Sequence, residues 1–316
     1  MNAPMIPVVK ESEHALTVTS PAKINLWLEI LGRREDGFHE LVSLMVPTTL
    51  VDHLSLTFDA PEDLLEVPEG GAPADPSNLV LKALHQARQS RPIPPVQVEL
   101  IKRIPAQAGL GGGSGNAAAI LKCLHQRYPD PRGWAGVLAD AEVLGSDISF
   151  FLGDGPAVVR GRGEILEAVQ EPLFTGLSPH ACIWYPGFGL STADVYQQLS
   201  GPLTSGHMCR NFNIKNFRHG QEGFQHLFNR LLDGARTLDS RIALISDLLE
   251  DHFSGRWIMT GSGSGFVIFA ADPGASEADA TLLKGLVASR FRADDDASVD
   301  GIHGDEIHVV SLLTGP

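Results

Sequence analysis

The feature that most constrains this chain is a glycine-rich segment between a predicted strand and a predicted helix. Five of the seven residues from 109 to 115 are glycine, in the order GLGGGSG. A strand is predicted over 96–101, where apolar and polar residues alternate, and a helix is predicted over 116–127. Glycine lets a backbone approach a ligand closely with its N–H groups free, and a following helix adds the positive end of its dipole. The segment therefore predicts an anion site, most simply for phosphates.

Three common nucleotide-binding patterns fit this segment poorly. A P-loop needs a lysine directly after its glycines, and none follows here. Gly113, Gly115 and Ala118 satisfy the dinucleotide pattern GxGxxA, but the segment starts eight residues beyond the strand and no acidic strand end follows. A protein-kinase loop would need HRD and DFG partners that the chain lacks. A Rossmann dehydrogenase therefore stays open only as an alternative from another class.

Composition and charge limit the class of protein further. With 316 residues, of which 43% are hydrophobic and 20% charged, the chain can bury a large core and is neither disordered nor a coiled coil. Its 24 basic and 38 acidic residues give a net charge of −14, which disfavours a nucleic-acid or membrane partner. The three cysteines lack metal-ligand spacing and are odd in number, which predicts a reduced, cytoplasmic protein without disulfides. The chain shows no signal-peptide pattern and no apolar run long enough to span a membrane.

The remaining pattern predicts an α+β fold, because strands dominate the first half and alternate with helices in the second. Further strands are predicted over 15–19, 24–31, 39–47, 53–58, 157–160, 164–169, 181–185, 257–260, 266–270 and 307–313. Further helices are predicted over 78–89, 134–144, 238–253 and 277–290, with Asp75 or Ser77 as the cap of the first. Loops are predicted over 60–76, 201–222 and 292–304. A boundary between the two halves of the chain is expected near 170–180.

Three other segments can carry chemistry. Lys23 precedes an apolar strand in PAKINL, Asp147 stands among apolar residues in LGSDISFF, and a second glycine-rich loop covers 260–265 as TGSGSG. Taken singly, each has a plain structural interpretation, namely a solvated strand-edge lysine, a helix N-cap and a hairpin loop. The combination is more specific than any one segment.

Together these segments resemble the GHMP kinase superfamily, which has an N-terminal strand motif, a P-x-x-x-G-L-G-[GS]-S loop and a C-terminal glycine-rich loop. The loop motif starts here at Pro105. The stretches PAKINLWLEILGRREDGFHEL, IKRIPAQAGLGGGSGNAAA, LGSDISFFLGDGPAVVRGRGEIL and MTGSGSGFVIF are most similar to members that phosphorylate a cytidine-diphosphate-linked alcohol in non-mevalonate isoprenoid synthesis. The resemblance implies a two-domain α+β kinase, with the active site in a cleft between an ATP-binding domain, 1–175, and a second domain, 176–316.

The resemblance also implies roles for individual residues. Lys23 and Asp147 match the catalytic pair; ATP is implied as co-substrate, with Mg²⁺ arriving on it and Ser114 as a helper. The implied ATP-binding residues are Asn78, Lys102, Pro105, Gly109, Leu110, Gly111, Gly112, Gly113, Ser114 and Gly115. The implied substrate-binding residues are Asn25, Phe38, His39, Thr192, Tyr196, Gly261, Ser262 and Gly263. Among them, His39 is expected to read the cytosine edge, and Tyr196 to stack on its ring.

The chain departs from the family pattern at three positions. Phe38 stands where tyrosine is usual, Gly115 where the loop usually has serine, and Arg230 where an Asn-Asp-Leu sequence usually has aspartate. The last two departures bear on phosphate or metal contacts rather than on the class. For two residues a plain structural interpretation also stays open: Tyr196 as a core aromatic and Lys102 as a surface lysine.

Two alternatives remain within the fold class. A homoserine or mevalonate kinase is disfavoured by the segment 37–39, because those enzymes have no pyrimidine to recognise. An inactive binding protein is disfavoured because both Lys23 and Asp147 are retained. The expected partners are ATP and a small-molecule alcohol, and the expected assembly is a monomer or a homodimer.

Overall fold

A computed structural model describes residues 6–199, 212–291, 301–304 and 306–315. Its strands are β1 (Val8–Glu11), β2 (Ala15–Arg33), β3 (His39–Phe58), β4 (Leu64–Glu69), β5 (Val96–Ile101), β6 (Ala157–Gly161), β7 (Ile165–Ala168), β8 (His180–Tyr185), β9 (Phe228–Asn229), β10 (Trp257–Met259), β11 (Phe266–Ala270) and β12 (Glu306–Ser311). Its α-helices are α1 (Leu79–Ala87), α2 (Gly112–Arg127), α3 (Trp134–Leu144), α4 (Ile148–Leu152), α5 (Thr192–Gln197), α6 (Leu231–Leu238), α7 (Ser240–Phe253) and α8 (Pro273–Phe291). Two 3₁₀ helices cover Ile214–Phe217 and Gly220–His226.

The first sheet is built on the long antiparallel pair β2 and β3. Its strand order is β1-β2-β3-β5-β4, with β6 on the other end of β3, β7 on β6, and β9 parallel to β2. The predictions of separate strands over 15–19 and 24–31, and over 39–47 and 53–58, were wrong, because each pair is one continuous strand. Register shifts between Pro21 and Lys23 and between Asn25 and Trp27 let β2 pass its proline without ending.

The second sheet has the antiparallel order β10-β11-β8-β12. A buried apolar layer lies between the two sheets and includes Ile24 and Leu44 from the first and Ile183 and Val267 from the second. Helices α1 to α4 cover the other face of the first sheet, so the middle of β2 is buried on both sides. This double burial explains why its sequence is a continuous apolar run instead of an alternating one.

The sheet topology argues against the dehydrogenase alternative. In the described part of the chain, only the pairs β4–β5 and β2–β9 are parallel. A dinucleotide-binding fold needs a mostly parallel sheet with its glycine loop directly at a strand end. Here β5 ends at Ile101 and α2 begins only at Gly112.

Several predicted boundaries needed correction. The helix predicted from 116 already begins at Gly112. Helix propensity disfavours the glycines at 112 and 115, but close packing requires them. A Cβ on Gly112 would lie 2.9 Å from Ile104 Cγ2, and a Cβ on Gly115 would lie 2.5 Å from Ser20 Oγ. The loop predicted over 60–76 contains β4, in which only Leu65 is buried, so its strand pattern is weak.

The remaining corrections concern helix ends. The helix predicted over 238–253 is α7, which begins at Ser240 because Asp239 caps it by accepting a hydrogen bond from Arg241 N (2.9 Å). The preceding helix α6 was not predicted. The helix predicted from 277 begins at Pro273, a residue suited to a first helical position. The cap of α1 is Asn78, not Asp75 or Ser77, since its side chain accepts from Val80 N at 2.9 Å.

Some predictions are only partly covered. Residues 200–211, with Cys209, and 292–300 lie outside the described residues, so the loops predicted over 201–222 and 292–304 are described only at their ends. The described part of the first includes the 3₁₀ helix Ile214–Phe217. Cys123 and Cys182 are free and buried. No helix in the described ranges is long and apolar enough to cross a membrane.

The two-domain division stays a prediction. All strands up to Ala168 belong to the first sheet, and the second sheet begins with β8. However, β9 adds residues from the second half of the chain to the first sheet. The isolated bridge between Thr48 and Leu312 links the halves as well.

Candidate active site

A cleft of about 500 Å³ opens where β2, the start of α2 and the β10–β11 loop meet. All but three of the predicted site residues line it; the three that do not are Phe38, His39 and Gly115. The predicted residues that do line it are Lys23, Asn25, Asn78, Lys102, Pro105, Gly109, Leu110, Gly111, Gly112, Gly113, Ser114, Asp147, Thr192, Tyr196, Gly261, Ser262 and Gly263. Segments far apart in sequence are therefore brought together.

The first glycine-rich segment is half loop and half helix. Gly109 and Gly111 both have φ of +71°, in the left-handed region that glycine tolerates best. The first backbone hydrogen bond of α2 runs from Gly115 N to Gly111 O at 2.9 Å. The N–H groups of residues 112–114 therefore precede the helical hydrogen-bond ladder, at the positive end of the helix dipole. This arrangement matches the chemistry of an anion site.

Lys23 is the centre of a buried polar cluster at this segment. Its residue exposure is 3%, and its ammonium donates to Asn25 Oδ1 at 2.7 Å and to Gly109 O at 2.8 Å. Its backbone N–H donates to Leu110 O at 2.9 Å. The alternative of a solvated strand-edge lysine does not hold, because the side chain is buried. These hydrogen bonds replace the water contacts that a buried ammonium loses.

Asp147 faces Lys23 across the cleft. Its Oδ2 lies 3.6 Å from the Lys23 ammonium, and its side chain is 34% exposed. Asp147 does occupy the position before α4, as its structural interpretation required, but its side chain makes no capping hydrogen bond. The carboxylate is thus held near a fixed cation while one side is open to the cleft. A group in that position can accept a proton from a ligand hydroxyl.

Lys102 is buried rather than a surface lysine. It is 7% exposed, and its ammonium pairs with the fully buried carboxylate of Asp52. Asp52 also accepts hydrogen bonds from Ile104 N at 2.9 Å and from Asn116 Nδ2 at 3.0 Å. One carboxylate therefore joins the end of β5 to the first turns of α2. Asp52 was missed in the sequence, although an aspartate inside an apolar strand is a visible sign of such a role.

The second glycine-rich loop closes the cleft from the β10–β11 side. Gly261 N donates to Asn25 Oδ1 at 3.1 Å, and a Cβ on Gly109 would lie 2.1 Å from Thr260 O, so the two glycine-rich segments are in direct contact. The loop is also a hairpin connection, as its structural interpretation required. Ser262 Oγ lies 2.8 Å from Thr192 Oγ1, which links the loop to the start of α5.

An aromatic pair lies beside the cleft, with Tyr196 in its lining and His39 outside it. The rings of His39 and Tyr196 have centroids 4.8 Å apart with an interplanar angle of 35°. Burial, helped by the charge of Arg33, lowers the pKa of His39 below its ordinary value of 6.5. Burial, helped by the charge of Asp147, raises the pKa of the Tyr196 phenol. Both side chains are therefore neutral near pH 7, and a neutral imidazole both donates and accepts hydrogen bonds.

The other two predicted residues outside the cleft lining have different surroundings. Phe38 is 51% exposed, and the Arg162 guanidinium lies 5.0 Å from its ring centroid. Gly115 is buried inside α2, where a Cβ would also lie 3.1 Å from Pro21 O. The structure thus gives Gly115 a packing reason, and its contact with ATP stays a prediction.

The site also contains buried polar residues that sequence reasoning did not select. Ser43 Oγ accepts from Asn25 Nδ2 at 2.8 Å and donates to Trp27 O at 2.7 Å. Asn229 donates to Gly261 O at 2.8 Å. A single serine within the apolar run LVSLMV was the available sign for Ser43. In the described ranges, no group of three or more His, Cys, Asp or Glu side chains is arranged to hold a metal ion.

Residues 78–155 match the family described as GHMP kinases N terminal domain. A 4-diphosphocytidyl-2-C-methyl-D-erythritol kinase of Protochlamydia amoebophila is 35% identical over 261 residues, which are 81% of this chain and 84% of that protein. A kinase of the same name from Syntrophus aciditrophicus is 32% identical over 275 residues, or 85% of this chain and 95% of that protein.

Solved structures show the same relationship. A crystal structure of 4-(cytidine 5′-diphospho)-2C-methyl-D-erythritol kinase superposes with a TM-score of 0.70 and 27% identity, covering 95% of this chain and 100% of that one. A homoserine kinase from Cytophaga hutchinsonii superposes with a TM-score of 0.61 at 14% identity, covering 97% of this chain and 96% of that one. The homoserine kinase shows the shared fold only. The predicted α+β kinase fold is confirmed.

Proposed function

Because the chain belongs to the 4-diphosphocytidyl-2-C-methyl-D-erythritol kinases of the GHMP kinase superfamily, we propose that its cleft transfers the γ-phosphoryl group of ATP to the 2-hydroxyl of that cytidine alcohol. ADP and the 2-phosphate are the products. The observation that carries this proposal is the Lys23–Asp147 pair, 3.6 Å apart, beside the start of α2. The His39–Tyr196 pair, whose tyrosine lines the same cleft, supports the choice of a pyrimidine substrate.

We assign the ATP phosphates to the start of α2. The N–H groups of residues 112–114 point out of the helix end, and Gly113 is exposed to the cleft, so a phosphate can approach the backbone there. Lys102 and Asn78 line the side assigned to the adenosine. Mg²⁺ would be bound mainly by the phosphates and water, with the Ser114 hydroxyl as the nearby protein donor, and would neutralise charge on the transferred group.

We assign the role of general base to Asp147. As the substrate oxygen forms its bond to the γ-phosphorus, the hydroxyl proton passes to the carboxylate and the bond to the ADP oxygen breaks. Transition states of this kind are loose, so most of the catalysis comes from positioning and charge stabilisation. Lys23 lies 3.6 Å from the Asp147 carboxylate and offers positive charge to the γ-phosphoryl group.

We assign recognition of the cytosine to His39 and Tyr196. A neutral His39 can donate to the ring N3 acceptor or accept from the C4 amino group, and Tyr196 offers a flat, partly buried face. Asn25, Thr192 and Ser262 line the part of the cleft nearer the reacting centre. We place the methylerythritol portion there.

Further features of the proposal concern the whole chain. We propose two domains, 1–175 and 176–316, with the cleft between them, and a monomer or a homodimer. The chain has three cysteines without ligand spacing, which supports a reducing compartment such as the cytoplasm.

The proposal is tested by measuring ADP release with a panel of alcohols. With ATP and Mg²⁺, we expect turnover with 4-diphosphocytidyl-2-C-methylerythritol and less than a hundredth of that kcat/KM with homoserine or mevalonate. A reaction without alcohol measures background ATP hydrolysis. Equal activity on homoserine or mevalonate would overturn the substrate assignment while leaving the kinase class intact.

A further inference from the structure

Asn229 lies behind the second glycine-rich loop and does not line the cleft. It is 7% exposed, and its Nδ2 donates to Met259 O at 2.6 Å and to Gly261 O at 2.8 Å. Its Oδ1 accepts from Leu231 N at 2.9 Å. Both polar atoms of the side chain therefore form hydrogen bonds with backbone groups. Two of the three partners, Met259 O and Gly261 O, are carbonyls where β10 leads into the loop.

These contacts fix Gly261 from both sides. Its carbonyl is held by Asn229, and its N–H donates to Asn25 Oδ1 at 3.1 Å. The same Asn25 oxygen accepts from the Lys23 ammonium at 2.7 Å, and that ammonium lies 3.6 Å from Asp147. A continuous set of hydrogen bonds thus runs from a residue outside the cleft to the reacting centre.

The position of Asn229 depends on a very short strand. Strand β9 has two residues and pairs in parallel with Trp27 and Leu28 of β2. A strand of that length is weak by itself. The next residue, Arg230, anchors it: its N–H donates to Leu28 O at 2.8 Å. Its guanidinium donates to both carboxylate oxygens of Glu29, at 2.7 and 3.1 Å.

The two partners of the Glu29–Arg230 pair differ in burial. Glu29 is fully buried in β2, whereas the Arg230 side chain is 30% exposed. A buried carboxylate without its partner is strongly unfavourable, so β9 cannot leave β2 without exposing or neutralising Glu29. The bidentate geometry also fixes the direction of the pair.

We propose that Asn229 is a positioning residue for phosphoryl transfer, and that the Glu29–Arg230 pair holds it in register with the glycine-rich loop. The inference rests on the proposed function of Lys23 and Asp147. It adds that the Lys23 ammonium is placed through Gly261 by residues that touch neither substrate. Disturbing them changes the geometry of the reacting centre while leaving the surfaces assigned to ATP and to cytosine in place.

The first test is Asn229→Asp, which keeps the shape of the side chain and its acceptor for Leu231 N. It replaces the amide donor by a carboxylate facing two carbonyl oxygens, Met259 O and Gly261 O. We expect kcat per folded enzyme to fall at least 30-fold, while KM for ATP and for the cytidine substrate each change less than threefold. A purely structural asparagine would lower Tm without changing kcat per folded enzyme.

The second test breaks the ion pair and then relieves the unpaired charge. Arg230→Gln should lower kcat at least tenfold, because the buried Glu29 loses its bidentate partner and β9 loses its anchor on β2. In the double variant with Glu29→Gln, two neutral amides face each other, and we expect kcat to return to within threefold of wild type. The matched control is Arg256→Gln, which removes a comparable bidentate pair with Asp279 at the opposite end of β10 and should lower Tm only.

The outcomes separate this inference from the proposed function. An active wild type whose Asn229→Asp variant keeps kcat within threefold would overturn the positioning role and leave the proposed function intact. An equal loss of kcat in Arg256→Gln, or no rescue by the double variant, would also overturn it, since general destabilisation would then explain the loss. A wild type without turnover would overturn the proposed function and this inference together.

Discussion

A substitution at Gly113 should weaken nucleotide binding without disturbing the fold. It is the second residue of α2, it lines the cleft, and a Cβ added there would meet only Leu79 Cδ1 at 3.5 Å, an ordinary contact. Alanine is a better helix former than glycine by up to about 1 kcal/mol, and less near a helix end. Gly113→Ala should therefore keep the fold and raise Tm by about 1 °C.

The same methyl group should weaken nucleotide binding. It stands at the exposed helix start, where the proposal places the phosphate against the backbone N–H groups. Loss of one charge-assisted hydrogen bond costs about 1.5–3 kcal/mol, which corresponds to roughly a 10- to 100-fold increase in Kd. We expect this increase for ATP and less than a twofold change for the cytidine substrate. Isothermal titration of each ligand separately, with calorimetric Tm values, measures both effects.

Gly111→Ala is the matched contrast. Gly111 has φ of +71°, and its Cβ would lie 3.0 Å from both Lys23 Cγ and Phe151 Cζ. Left-handed backbone costs a residue with a Cβ about 1–2 kcal/mol, so this variant should lose stability as well as activity. If Gly113→Ala raised Tm but left the ATP Kd within twofold of wild type, the assignment of the phosphates to the start of α2 would be refuted.

Three further outcomes follow from the proposed roles. Asp147→Asn should lower kcat about 10²- to 10⁴-fold with a near-normal ATP Kd, and retention of a tenth of wild-type kcat would remove Asp147 as the base. His39→Ala should raise KM for the cytidine substrate at least tenfold with little change for ATP, and the uridine analogue should be a poor substrate for wild type; equal use of both pyrimidines would contradict the role of His39. Because burial and Arg33 lower the pKa of His39, the neutral imidazole persists below pH 6.5. KM for the cytidine substrate should thus stay constant from pH 8 to 6.5 and rise only at lower pH, and a rise that begins above pH 7 would contradict this.

The local sequence predicted the parts of the site that are carried by short motifs. The glycine-rich segment, Lys23 and Asp147 line one cleft because strand β2, the start of α2 and the start of α4 adjoin one another. The prediction of α3 over Trp134–Leu144 and of β5 over Val96–Ile101 was confirmed to the residue, since β5 alternates in burial and α3 is bounded by Gly133 and Gly145.

Longer-range features were harder to predict, because they depend on partners distant in sequence. Glycines lower the helix propensity at the start of α2, and the reason for two of them is close packing against Ile104 and Ser20. Arg230 was noted only as a departure from a pattern, and its partner Glu29 lies 201 residues away. A residue that acts through a distant partner has no local signature of its own.

The most direct test of the central claim is the ³¹P NMR spectrum of the product formed from ATP and 4-diphosphocytidyl-2-C-methylerythritol. The carbon that bears the 2-hydroxyl also bears the methyl group and has no hydrogen. A phosphate placed on that oxygen therefore has no three-bond coupling to a proton, and its proton-coupled signal is a singlet. The proposed function predicts one new phosphomonoester singlet that appears in step with ADP. A doublet or triplet, which marks a secondary or primary hydroxyl, or ADP without a new phosphomonoester, would contradict it.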